Sequence, residues 1–144
     1  MTAPTIALRL SSVLWFIWGG VHLLAGVLTI SNPTAQAVAA IADAVPAGAM
    51  EMDYHDAVGA ILNQHGWNLA WGGVVTMVAA AFIWKGDARA IALAALVGGL
   101  LDLGYFMFLD LGGFVHFVPG TVMTIFSASA ILLSAYGHYA LRQR

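Results

Sequence analysis

The chain contains no cysteine, and only 8% of its 144 residues are charged. The missing cysteine excludes disulfides, thiolate metal sites, iron–sulfur ligation and thiol catalysis together. The scarcity of charge excludes more, because a soluble domain carries about 25% charged residues. Basic residues number five and form no cluster, so the electrostatic footprint of a nucleic-acid binder is missing and no nucleic-acid partner is expected. No glycine-rich phosphate loop is present either, which argues against ATP-driven chemistry. What fills the sequence is apolar: 61% hydrophobic residues, with a mean hydropathy of +0.87. The lipid bilayer is the expected surroundings.

A membrane-crossing helix needs about 20 largely apolar residues to span roughly 30 Å of hydrocarbon. Leu10–Ile30, Ala57–Trp84, Ala90–Leu109 and Gly120–Leu141 meet that test. The expectation is an all-α polytopic membrane protein, one domain over residues 1–144, built as a bundle of four transmembrane helices. Arg9, Lys85, Arg89, Arg142 and Arg144 all fall at one end of such a bundle. Basic residues near helix ends are retained on the cytoplasmic side, which predicts cytoplasmic termini, a long loop (31–56) outside and a bacterial inner-membrane location. The first apolar run is longer than the 7–15 residues of a signal-peptide core, so it is read as a span.

Within the long loop, Asn32 is expected to cap a helix with Pro33 in its first turn, and Pro46 with Gly48 to stop it. Val38, Ile41, Ala42 and Val45 recur at helical spacing between them, predicting an amphipathic interfacial helix over about 33–45. Asp53 and Asp56 suit the N-cap and first turn of the second span. Trp18-Gly-Gly-Val21 recurs as Trp71-Gly-Gly-Val74. In antiparallel helices this is read as packing by small residues, as is the stripe Gly120, Thr124, Ser127, Ser134 and His138.

Ionisable groups inside hydrocarbon cost a few kcal/mol and mark a polar network or a site. His22, His65 and Asp102 lie on three different helices. Counting from the outer helix ends at 1.5 Å per residue puts all three about 12–13 Å deep. Helical spacing adds Gln64, Asn68, Trp18, Trp71 and Tyr105 as neighbours, so a polar pocket with aromatic walls, opening outward, is expected. Glu51, Asp53, His55, Asp56, Asp110 and His116 are the candidates for its mouth.

Three readings of the trio compete. An interhelical hydrogen-bond network is the simplest. Acid–base catalysis is the second: in a low-dielectric site an Asp/His pair can be matched in proton affinity and exchange protons with a lipophilic substrate. His65 and Asp102 would then act with His22 as second base or orienter, and Asn68, Tyr105, Gln64, Trp18 and Trp71 would contact the ligand. The third is a divalent metal on His22, His65 and Asp102, a set that can form a facial triad. Proton or ion conduction stays open beside them. So does a non-catalytic role as an accessory subunit of a larger membrane complex or as a homo-oligomer.

Leu8-Arg9-Leu10, followed by Trp18-Gly19-Gly20-Val21-His22-Leu23-Leu24-Ala25-Gly26, resembles the opening of DoxX-like small membrane proteins. The resemblance covers the first helix, the chain length and the topology, and His22 stands where that pattern has a lysine. It implies four helices with an arginine entering the first, and a quinone- or thiol-linked redox context. The lack of cysteine leaves the quinone part.

Overall fold

A computed structural model describes residues 2–143. Helix α1 (Ala3–Ser31) is followed by a short α2 (Thr34–Ile41), a 3-10 turn (Ala47–Glu51), α3 (Asp56–Ile83) and α4 (Ala88–Tyr105). Helix α4 continues as a π-helical turn over Phe106–Asp110, and a second π turn, Phe117–Thr121, leads into α5 (Val122–Arg142). Four helical segments, α1, α3, Ala88–Asp110 and Phe117–Arg142, are long and apolar enough to cross a membrane. Large apolar side chains face outward from every one of them: Leu24, Ile61, Leu96 and Leu132 are each more than half exposed. In water such a surface would associate; it is compatible with an integral membrane protein.

Helix α1 is the hub, packing against α3 on one side and α5 on the other, with α4 closing the ring between them. The α1–α3 seam is glycine-built. A Cβ on Gly19 would come within 2.6 Å of the Gly73 carbonyl oxygen, and one on Gly66 within 2.9 Å of the Gly26 carbonyl oxygen. The glycines are seven residues apart on both helices, so each pair lies on one seam, and only hydrogen atoms separate the backbones. Hydroxyls tie the same region together. Ser12 Oγ donates to the Ala80 carbonyl at 2.6 Å and Ser11 Oγ to the Ala130 carbonyl at 2.7 Å. Trp15, Trp18, Ile83 and Ala94 are fully buried beside them.

At the end of the bundle that carries Arg9 and Lys85, here the basic end, Arg9 lies over the Trp84 ring at 4.9 Å. The tight turn into α4 uses Gly86 at φ +83°, a conformation that Gly adopts at no steric cost. Asp87 then caps α4 through the amides of Arg89 and Ala90.

The opposite, loop end differs from expectation in three ways. Helix α2 begins after Pro33 and stops at Ile41 rather than near residue 45. Asn32 closes α1 instead of opening α2: its side-chain amide donates to the Leu28 carbonyl at 2.7 Å. Pro46 opens a 3-10 turn rather than stopping a helix. The cap of α3 is His55, whose Nδ1 accepts the Ala57 amide at 3.1 Å, with Asp56 in the first turn and Asp53 outside. A ring nitrogen can serve where a carboxylate was expected because the orphan amide needs only an acceptor.

Candidate functional site: a cavity above a buried carboxyl

Asp102, on α4, is 2% exposed. Trp18 of α1 donates its indole N–H to Asp102 Oδ1 at 3.0 Å, and Ser127 Oγ of α5 lies 2.6 Å from Oδ2. A buried indole N–H must find an acceptor, and here one carboxyl group serves two neighbouring helices. The hydroxyl of Ser127 also lies 3.0 Å from the Thr124 carbonyl. The network reading of the sequence paired Asp102 with a histidine or Asn68; its hydrogen-bond partners are instead Trp18 and Ser127.

His22 sits one turn further toward the loop end. Its ring stacks on Trp18, with centroids 3.6 Å apart and planes 20° from parallel. Nδ1 is 2.8 Å from the Trp18 carbonyl oxygen. A carbonyl can only accept, so Nδ1 carries the proton, and in the neutral ring Nε2 holds the free lone pair. The residue is 7% exposed, and among the described residues no hydrogen bond engages Nε2. Asp102 thus holds Trp18, and Trp18 holds His22 by both its ring face and its carbonyl.

His22 forms part of the wall of a cavity of about 100 Å³ at the loop end. Val21, Ala25, Leu69 and Met123 supply its apolar sides, Ala40 and Ile41 of α2 with Asp43 form its cover, and Tyr105, Pro119 and Gly120 complete it. The second π turn borders it through Pro119 and Gly120, and Tyr105 is the last residue of α4 before the first. An extra residue per turn shifts a helix off regular register, and Gly120 allows the Tyr105 hydroxyl to approach where a Cβ would meet it at 2.9 Å. The cover is fastened by two bonds: His116 N–H donates to Asp43 Oδ1 at 2.7 Å, and Ala44 N–H to the Phe114 carbonyl at 3.0 Å. A single water takes roughly 10–15 Å³ of such space, so the cavity seats several waters or one small polar head group. A larger molecule would leave its tail in the surrounding hydrocarbon.

The trio named from sequence is not assembled at one level. Asp102 pairs with Trp18, below His22, and is absent from the cavity wall. His65 adjoins Gly66, which is apposed to Gly26 and Thr29, above His22. From Trp18 to Thr29 the helical rise alone gives roughly 16 Å. The depth count erred because α3 overshoots the end of α1 to reach α2, where a Cβ on Gly59 would meet Thr34 Oγ1 at 2.7 Å. His22 lies within electrostatic reach of both Asp102 and His65. Among the described residues, however, no three His, Asp or Glu side chains are grouped to hold a metal ion, so the facial-triad arrangement is not formed.

Of the expected ligand contacts, Tyr105 lines the cavity and Trp18 lies buried beneath His22. Gln64 and Trp71 face outward, and Trp71 Nε1 donates to Asn68 Oδ1 at 3.2 Å on that outer surface. Of the expected mouth residues, Glu51, Asp53, His55 and Asp56 are exposed, and Asp110 Oδ1 accepts the Thr121 hydroxyl at 3.0 Å.

Sequence reasoning missed Asp43 and the role of Ser127. Asp43, two residues past the end of α2, is exposed yet borders the cavity, and no periodicity in the sequence marks that position. Ser127 was read only as a small packing residue, although its hydroxyl can reach a buried acceptor. In comparisons with known proteins, no family model, curated protein or solved structure matches this chain.

Proposed function

We propose that this chain is an integral membrane protein that binds the polar head of a small lipophilic molecule in the cavity between α1, α2 and the second π turn. One observation carries the reading. A nearly buried imidazole, fixed in ring orientation and tautomer by its neighbour and with its second nitrogen in no hydrogen bond among the described residues, lines a cavity with otherwise mostly apolar walls. Pockets that recognise lipophilic ligands combine apolar walls with a few polar groups that fix orientation. If chemistry occurs, His22 is the group on the wall that would take a proton from the ligand, with Tyr105 hydrogen-bonding it. Asp102 acts through Trp18 and is a positioning residue.

Among the described residues, the lysine and arginines Arg9, Lys85, Arg89 and Arg142 lie at one end of the bundle, which supports a bacterial inner membrane with the cavity toward the outer face. The DoxX-like resemblance belongs to this reading too, supported by four spans and by Arg9 in α1, and it makes a quinone one ligand to test. A second reading, a subunit of a homo-oligomer or larger complex, is favoured by one feature. Gln64, Trp67 and Trp71 are exposed on one face of α3 with Asn68 beside them, and polar groups on a membrane helix commonly meet another helix.

The test is native mass spectrometry of the protein released from its own membrane in mild detergent. The pocket reading predicts a reproducible small-molecule adduct on the wild type that is lost when Ala25→Phe fills the cavity. An adduct-free wild type carrying a stoichiometric protein partner would overturn it in favour of the subunit reading.

A further inference from the structure

The polar groups on the cavity wall constrain the head group that fits there. They are His22, Asp43 and Tyr105. His22 Nε2 can only accept in the neutral ring, the Asp43 carboxylate can only accept when ionised, and the Tyr105 hydroxyl oxygen can accept as well as donate. Asp43 is exposed where it borders the cavity and gives one oxygen to the His116 amide; its other oxygen makes no hydrogen bond among the described residues. Among the described residues no lysine or arginine answers them, because Arg9, Arg89 and Arg142 on their helices and Lys85 in the α3–α4 turn lie at the basic end, while Asp43, Glu51, Asp53, Asp56 and Asp110 lie at the loop end. The surrounding field is therefore negative. The wall offers three acceptors, one of them charged, around a space of about 100 Å³.

Resting on the pocket reading above, we infer that the cavity takes a lipophilic amine, whose protonated nitrogen donates to His22 Nε2, Asp43 and the Tyr105 oxygen. An alkylammonium head carries three N–H donors and one positive charge. It satisfies all three acceptors and neutralises Asp43. An alcohol brings a single donor and leaves acceptors unanswered. A carboxylate or phosphate head brings no donor and adds a like charge beside Asp43, which costs affinity.

The test uses the full chain in neutral phosphatidylcholine nanodiscs, with dodecylamine, dodecanol and dodecanoate competing for a diazirine-bearing dodecylamine probe. Dodecylamine should protect saturably, dodecanol roughly tenfold more weakly, and dodecanoate not at all, since a hydrogen bond to a charged group is worth about one such factor or more. Asp43→Asn keeps the acceptor for the His116 amide, so the cover should stay fastened while the amine's advantage over the alcohol disappears. Asp53→Asn, an exposed carboxylate outside the wall, should leave that advantage unchanged and so exclude a general surface-charge effect. Labelling that Ala25→Phe does not abolish would overturn the pocket reading, and this inference with it. Labelling abolished by Ala25→Phe but competed equally well by dodecanol or dodecanoate, or an amine preference surviving Asp43→Asn, would overturn the amine inference and leave the pocket standing.

Discussion

The tie centred on Asp102 and the cavity just beyond it are built from the same helices, one turn apart, and treat their polar groups oppositely. In the tie, both oxygens of a nearly inaccessible carboxyl group have donors, from α1 and α5. In the cavity, His22 is anchored through one nitrogen and leaves the other unengaged, and Asp43 spends one oxygen and keeps one. Burial of a polar residue in a membrane bundle therefore does not by itself mark chemistry. Completeness of partnering separates the two regions: a satisfied network specifies packing, whereas anchored side chains with a spare acceptor line the cavity.

The comparison can be broken most forcefully at Asp102. Asp102→Ala strands the Trp18 indole, while the Ser127 hydroxyl keeps the Thr124 carbonyl, and should cost roughly 1–3 kcal/mol by the usual price of a buried unpaired donor. Thermal unfolding in detergent should register it. Gly73→Val tests the seam that supports both regions. Its added Cβ would meet the Leu23 backbone nitrogen at 2.7 Å, so about 1–3 kcal/mol should be lost to overpacking. His22→Phe keeps the stack on Trp18 and removes both ring nitrogens. Stability should fall by about 1 kcal/mol, one net hydrogen bond, while the adduct seen by native mass spectrometry disappears. The smallest effect is expected from Asn68→Leu on the outer face of α3: thermal stability within about 0.5 kcal/mol of wild type, with the adduct retained. A clear loss of self-association in that variant would instead strengthen the subunit reading.

Much of the architecture was legible because hydrocarbon imposes length and composition. The four spans follow from apolar runs, and the two Trp-Gly-Gly-Val segments were read as packing for the reason now visible, since Gly19 and Gly73 lie face to face. Local capping was less legible. Asn32 could close one helix or open the next, and Pro33 permits either. The site was half legible. His22 and Tyr105 were named from sequence, but the level of His65 depends on where α3 starts relative to α1. No count along a single helix contains that offset. Asp43 escaped because its position is set by a loop-to-loop bond with the His116 amide, a contact 73 residues apart in sequence.

The most direct test of the division between tie and cavity is a paired measurement, thermal stability and retained adduct, on Asp102→Asn and Ala25→Phe. Asp102→Asn should lower the unfolding temperature and keep the adduct, while Ala25→Phe should lose the adduct at near wild-type stability. Loss of the adduct in Asp102→Asn with unfolding unchanged would contradict the account, placing the functional group in the tie rather than in the cavity.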